Sequence, residues 1–282
     1  MLELIGLKEN LKTIYLLSHK YLEFGNIDAE KIKKAYHHFL LEEQPNYSIE
    51  RSGDIAYISS GPNFERLVSY FNADSIFHDE KNLLSPSASD HIKKEIQVKL
   101  SAIEQLNPKL FEVFDLLVHS ILISACENSY GGTHSKAIGV LCISPIVSSW
   151  TIDVFYEFIC HELTHMLMFL DEHRFTHFID IYAAAQKENY SVSAILAKNR
   201  PLDKVLHSIV VSVEIILSRN KVFKNQNQSN VLHPDTSTLI RQTRQSITKI
   251  LAMINIKSML SHRAFDLLEK CSKTIENLNP NF

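Results

Sequence analysis

The sequence FICHELTHMLMFLDEHRFTH, residues 158–177, contains the motif HELTH. His161 and His165 are four residues apart, so on an α-helix both imidazoles lie on one face and can hold the same metal ion. Glu162 lies between them, where it is off the metal as a ligand but close enough to act as a general base. The motif therefore predicts a metal-binding helix, which we expect to begin near residues 151–153 and to end near residues 171–173.

A site of this kind needs a third protein ligand, and the residues after the motif exclude two familiar sources. A metzincin has a glycine three residues after the second histidine and a further histidine three residues later, where this chain has Met168 and Asp171. A thermolysin-like enzyme supplies a glutamate about twenty residues on, where this chain has alanines at 183, 184 and 185. The third ligand has to come from elsewhere in the chain.

The segment PLDKVLHSIVVSVEIILSR, residues 201–219, offers two candidates for that ligand. His207 and Glu214 are seven residues apart, or two helical turns, so they face the same way from a helix otherwise rich in Val and Ile. Buried polar side chains need partners, and a metal would satisfy one of them. Glu214 would complete a His/His/Glu zinc hydrolase site, whereas His207 would complete a three-histidine site.

Composition and charge restrict the partners and the location of the protein. With a net charge of −3, the 282-residue chain has no basic surplus of the kind that nucleic acid binding requires. Glu3, Lys8 and Glu9 interrupt the apolar N-terminal residues, so we expect neither a signal peptide nor a membrane span there, and we predict a cytoplasmic protein. The four cysteines lack CxxC spacing and are predicted to be reduced core residues.

The fold predicted from these patterns is mainly α (α+β). Residues 1–282 are expected to form a single domain, with an N-terminal helical part at about 1–115, a metal-site core at about 116–220 and C-terminal helices at about 232–278. The apolar runs at residues 116–127 and 137–145 predict strands of a small antiparallel sheet. This sheet would lie next to the HExxH helix, in a zincin-like arrangement.

With these motifs, the chain resembles the α-ketoglutarate-dependent HExxH-type peptide β-hydroxylases, which are non-haem iron enzymes that modify ribosomally made precursor peptides. The resemblance rests on AIGVLCISP before the motif helix, on HELTHMLMFLDEHR and on RPLDKVLHSIVV, and it covers about residues 121–219. It implies Fe(II) on His161, His165 and a third residue, and the place of VLHS within it favours His207. It also implies a cation for the far carboxylate of α-ketoglutarate, for which the candidates are Arg219, Arg241 and Arg244.

Three functions therefore remain open from the sequence. The first is an Fe(II)/α-ketoglutarate-dependent dioxygenase that hydroxylates a side-chain β-carbon of a ribosomally made peptide. The second is a zinc metallopeptidase in which Glu162 is the general base. The third is a non-catalytic helical binding protein. The first two predict a peptide substrate, and none of them calls for a nucleic acid or membrane partner.

Overall fold

The computed structural model describes residues 1–22, 28–45, 54–73, 83–125, 130–223 and 232–278. Within these ranges the chain is mainly helical with a small sheet, which confirms this part of the predicted fold class. It forms two compact units, one made of Lys12–Phe169 and the other of Met1–Leu11 with Leu170–Phe282. The predicted metal-site core at about 116–220 therefore contributes residues to both units.

The helices begin at residues that the sequence marks as caps. Ser85 accepts a hydrogen bond from the backbone N–H of Ala88, and Asn107 accepts one from Leu110, each directly before a proline at the first helical position. In chain order, helices α1 to α6 are Leu7–Ser18, Ala29–Glu43, Pro62–Ala73, Pro86–Leu106, Pro108–Leu117 and Ile152–Phe175. Helices α7 to α11 are Ile181–Ala184, Leu202–Ser218, Thr236–Leu251, Ile256–Met259 and His262–Asn277.

The main sheet lies in the unit Lys12–Phe169, and its strands are in the order β1-β2-β4-β3. These strands are Ala56–Ile58 (β1), Ser120–Ile123 (β2), Gly131–Gly132 (β3) and Val140–Ile143 (β4). Strand β2 is parallel to both β1 and β4, and β3 alone runs antiparallel, on β4.

The prediction of an antiparallel sheet is therefore wrong for most of this sheet. The runs SILI and VLCI are apolar at every position and buried at every position. Such uninterrupted runs are typical of parallel strands covered on both faces, whereas an antiparallel sheet with one solvated face would alternate. Residues 124–139 between β2 and β4 are numerous enough for the crossover that a parallel pair requires.

Helices cover this sheet and hold the start of α6. Helix α4 packs against α5 and against β2. The Asn107 side chain, which caps α5, also donates a hydrogen bond of 2.8 Å to the hydroxyl of Tyr156 in α6. The residue that starts one helix thus also fixes the helix that carries the HELTH motif.

In the other unit, α8 is the central helix. It packs against α9 and α11, and nearly all of its residues are buried. The hydroxyls of Ser212 and Thr243 form a 2.7 Å hydrogen bond between α8 and α9. A two-stranded antiparallel sheet of Ser191–Val192 (β5) and Asn199–Arg200 (β6) precedes α8.

Two further predictions can be compared with the described residues. Cys142, Cys160 and Cys271 are buried and unbridged, as expected of reduced core cysteines, while Cys126 lies outside the described residues. Across the ranges that the structure describes, no helix combines the length and the apolar character needed to cross a bilayer.

Candidate metal centre

Helix α6 carries the motif, and it begins where the sequence predicts and ends two residues after the predicted end. Its core-facing side is apolar and buried, whereas His161 and His165 are partly exposed on another face. Buried residues on this helix include Phe155, Ile159, Leu163, Met166, Leu167 and Leu170. The two histidines of the motif thus lie outside the packed side of the helix.

The two imidazoles lie within hydrogen-bonding distance of each other on one side of α6. The Nε2 atoms of His161 and His165 are 3.1 Å apart, and the ring centroids are 4.8 Å apart. If a metal ion lay at the usual distance of about 2.0–2.1 Å from both nitrogens, the nitrogen–metal–nitrogen angle would be about 95–100°. This angle lies between the octahedral and tetrahedral values, so the pair fits six-coordinate and four-coordinate ions alike.

The carboxylate of Glu162 is buried beside the two histidines. Its Oε1 lies 3.8 Å from His161 Nε2, and its Oε2 accepts a 2.9 Å hydrogen bond from the hydroxyl of Thr133. Burial raises the pKa of Glu162 to about 7, although hydrogen bonds from the hydroxyl and the backbone of Thr133 oppose the rise. A carboxyl group with this pKa can take up or release a proton near neutral pH, as general acid–base chemistry requires.

Thr133 is a member of the site that sequence reasoning missed. It follows β3, and Gly131 in that strand has φ of +118°. A Cβ at Gly131 would collide with the carbonyl oxygen of Cys142 in β4, so only glycine allows the two strands to approach this closely. The sequence feature that could have indicated Thr133 is the pair of glycines directly before it in YGGTH, residues 130–134.

The two candidates for a third ligand, His207 and Glu214, lie in the unit that does not contain His161 and His165. Over the described part of the chain, no three His, Cys, Asp or Glu side chains come together as a complete ligand set. The third ligand therefore stays a prediction.

Glu214 has partners within its own unit. Its carboxylate accepts hydrogen bonds of 3.0 and 2.8 Å from the backbone N–H groups of Glu3 and Leu4, and it is ion-paired with the amino group of Met1. These contacts account for both carboxylate oxygens, so the buried charge of Glu214 is compensated without a metal.

His207 is also buried. Burial lowers its pKa to about 3, and the nearby His177 and Lys204 lower it further. Its imidazole is therefore neutral at physiological pH, which is the form that binds metals.

The arginines considered for α-ketoglutarate differ in what they bind. The guanidinium of Arg219 is buried and donates to the carbonyl oxygens of Pro234, at 2.8 Å, and of His233, at 3.4 Å. Arg244 donates to the carbonyl oxygen of Ile275 at 3.2 Å. Arg241 and Arg244 are both exposed on α9, so the choice of an arginine for α-ketoglutarate stays a prediction.

A buried charged cluster follows the motif at the end of α6. Asp171 accepts a 2.8 Å hydrogen bond from His177 Nε2 and two hydrogen bonds, of 2.8 and 2.6 Å, from the guanidinium of Arg263. Burial would raise the pKa of Asp171, but these hydrogen bonds and the positive charges outweigh burial and lower it. The position where a metzincin would have its third histidine is thus occupied by a residue that joins α6 to α11.

Comparison with known proteins adds no further constraint on the site. The sequence matches no protein-family model and no curated protein. The geometry of His161, Glu162 and His165 and the sequence motifs around them are therefore what points to a function.

Proposed function

We propose that this protein is an Fe(II)- and α-ketoglutarate-dependent oxygenase that hydroxylates a side-chain β-carbon of a ribosomally made peptide. In this reaction a C–H bond of the peptide, O₂ and α-ketoglutarate are converted into a C–OH group, succinate and CO₂. The iron and its co-substrate, when bound, supply the oxidising power for this conversion. The proposal includes a zincin-like placement of the HExxH helix beside the sheet and a cytoplasmic location.

The single observation that carries the proposal is the convergence of His161 and His165 next to a buried carboxylate. Two imidazole nitrogens 3.1 Å apart on one helix face fit a shared metal ion. Imidazole ligands suit iron as well as zinc, so the donor set is compatible with either metal.

The contacts of Glu214 favour His207 over Glu214 as the third ligand, whether the metal is iron or zinc. A His/His/Glu zinc site would need the Glu214 carboxylate, which already accepts hydrogen bonds from Glu3 and Leu4. Of the two residues that the sequence offers as a third ligand, this favours His207, the residue that the resemblance to peptide β-hydroxylases also favours. A three-histidine ligand set is therefore part of the proposal.

Glu162 and Thr133 have distinct roles in this proposal. The hydroxyl of Thr133 holds Oε2 of Glu162 at 2.9 Å and so fixes the orientation of the carboxyl group beside His161. Because Glu162 is buried, it also limits the access of water to that side of the histidine pair. Glu162 can hold a proton at either oxygen without binding the metal.

The proposal is tested with purified protein, Fe(II), α-ketoglutarate and a candidate precursor peptide. We expect a peptide product heavier by one oxygen atom and release of one succinate per product. His165→Ala should abolish both, whereas His173→Ala, which removes an exposed histidine from the same helix, should leave both unchanged. Absence of both products with a peptide that demonstrably binds would refute the proposal.

A zinc metallopeptidase is the second candidate, and the state of Glu162 favours it. A carboxyl group with a pKa of about 7 beside two histidines is suited to the general-base role in peptide hydrolysis. In that case Glu162→Gln should abolish cleavage of the peptide while zinc stays bound. Cleavage that persists in Glu162→Gln would exclude this mechanism.

A further inference from the structure

The two histidines of the motif belong to a row of three ring-bearing side chains along α6. His161, His165 and Phe169 are spaced four residues apart, so they follow one another on the same side of the helix, one turn at a time. All three are partly exposed, and all three belong to the unit Lys12–Phe169. The sequence neighbours of Phe169, which are Met168 and Leu170, are fully buried. Phe169 therefore lies on the side of α6 that carries the motif histidines, outside the packed side.

The ring of Phe169 lies alongside that of His165. Their centroids are 6.3 Å apart, and their planes are within 21° of parallel. Side chains on an α-helix lean toward its N-terminus, so the phenyl ring covers the turn that carries His165, and the imidazole of His165 in turn leans toward His161. The centroids of the two imidazoles are 4.8 Å apart. The imidazole of His165 therefore lies between the rings that precede and follow it on the helix.

An imidazole that binds a metal has to be held in one orientation, and the helix backbone fixes only the position of its Cβ. The torsion χ2 of a histidine has broad wells, so the ring plane can turn and carry Nε2 away from an ion. In the structure Nε2 of His165 is 3.1 Å from Nε2 of His161, a separation that one ion can bridge. The nearly parallel phenyl ring of Phe169 opposes such a turn, because a rotated imidazole would lose the stacked arrangement.

We propose that Phe169 is a positioning residue of the candidate metal centre, and that its ring keeps the imidazole of His165 in the orientation that binds the ion. This inference rests on the proposed function only in taking His161 and His165 to hold a metal, so it applies to iron and to zinc alike. A phenyl ring has no donor atom for the metal, so Phe169 acts through His165. Loss of this restriction should weaken metal binding by about 3–10-fold, which is the effect of ordering one additional side chain on binding.

Titration of the metal-free protein with Co(II) alone tests the proposal. The visible absorption of Co(II) depends on the geometry of its ligands, and competition with a chelator gives its affinity. Phe169→Leu keeps an apolar side chain but lacks a ring, and we expect it to bind Co(II) about 3–10-fold more weakly than the parent and to alter the spectrum of the bound ion. Phe169→Tyr keeps the ring and should restore both the affinity and the spectrum.

Two further variants separate positioning from a general effect on the helix. Phe175→Leu removes a ring of the same helix that lies against Arg174 and Arg263, and it should leave the affinity and the spectrum unchanged. His165→Ala removes the ligand itself, so Phe169→Leu should have an affinity between that of His165→Ala and that of the parent.

The outcomes distinguish this proposal from the proposed function. Equal affinities of the parent and Phe169→Leu, or equal weakening in Phe169→Leu and Phe169→Tyr, would overturn the role of Phe169. A parent protein that binds no Co(II) would refute both this role and the proposed function. Co(II) binding that depends on Phe169, in a protein that forms no oxidised peptide, would refute the proposed function alone.

Discussion

Two histidines in the unit Lys12–Phe169, the buried His119 and the partly buried His37, should make its stability depend on pH. The rings of His37 and His119 meet edge-on, with centroids 5.7 Å apart. Burial lowers the pKa of His37 to about 4, with a further contribution from the charge of Lys33. Burial also lowers the pKa of His119 to about 3, and the adjacent His37 adds to this effect. Both imidazoles are therefore neutral in the folded protein at pH 5, where the unfolded chain would protonate them.

The sign and size of the effect follow from these two pKa values. Above the unfolded pKa of about 6.5, neither state binds a proton and the full stability is present. As the pH falls below 6.5, the unfolded chain takes up protons that the folded chain refuses, at up to about 1.4 kcal/mol per pH unit for each histidine. Together the pair should lower the free energy of unfolding by about 3–4 kcal/mol between pH 7 and pH 5. Glu162 in the same unit has a pKa raised to about 7, so the folded protein takes up a proton there as the pH falls, which offsets about 2 kcal/mol of this loss.

Urea unfolding at pH 7, 6 and 5, followed by the fluorescence of Trp150, measures this effect in the unit that holds both histidines. His37→Phe retains the ring contact, and His119→Asn retains a polar atom for the 2.8 Å hydrogen bond to Ser120. Each variant should remove about half of the contribution of the histidine pair, or about 2 kcal/mol between pH 7 and pH 5, while the opposing contribution of Glu162 stays. A matched control is His91→Gln, which removes an exposed histidine and should leave the loss in place. If the double variant loses as much stability between pH 7 and pH 5 as the parent, the reasoning is wrong.

Three further predictions concern a charged cluster, a glycine and a ligand. Asp171→Asn removes the hydrogen-bonded counter-charge of the partly buried Arg263, while the more distant charges of Asp266 and Glu9 remain. It should lower the free energy of unfolding by about 3 kcal/mol, measured by urea titration with circular dichroism, and a loss below about 1 kcal/mol would contradict a role for this ion pair. Gly131→Ala should lower the free energy of unfolding by about 3 kcal/mol or more, because the added Cβ collides with β4. Gly61→Ala is the control, since Gly61 also has a positive φ but has open space around it, and it should lower the free energy of unfolding by about 1 kcal/mol. Equal losses of stability in the two variants would argue against the collision. His207→Ala should weaken metal binding by about 100-fold in equilibrium dialysis if His207 is the third ligand, and unchanged metal content would exclude it.

The helices that matter for the site could be predicted from sequence because their signals are local. The start of α6 follows from the cap-type residue Thr151 and from apolar spacing within a few turns, and the start of α8 directly after Pro201 follows from the fixed φ of proline. The convergence of His161 and His165 likewise depends only on the helical repeat. These features need no knowledge of what packs against the helix.

The remaining features depend on contacts between residues far apart in the chain. Thr133 reaches Glu162 because β3 turns back on β4, and a two-residue strand leaves almost no trace in the sequence. Histidines near a helix end are more often surface or interface residues, yet His177, just after α6, is fully buried against Asp171. Glu214 was a candidate ligand because burial demands a partner, and that partner proved to be the backbone near the N-terminus.

The bond between Glu214 and the first residues of the chain has a consequence for synthesis on the ribosome. The amide of Glu3 and its acceptor are 211 residues apart in sequence, so at ordinary elongation rates roughly 10–40 s pass between the making of one and the making of the other. Residues Lys12–Phe169 are contiguous, and they can fold while the remainder is still being translated. The segment Met1–Leu11 has to wait for its partner during that interval, which leaves its apolar side chains accessible to chaperones.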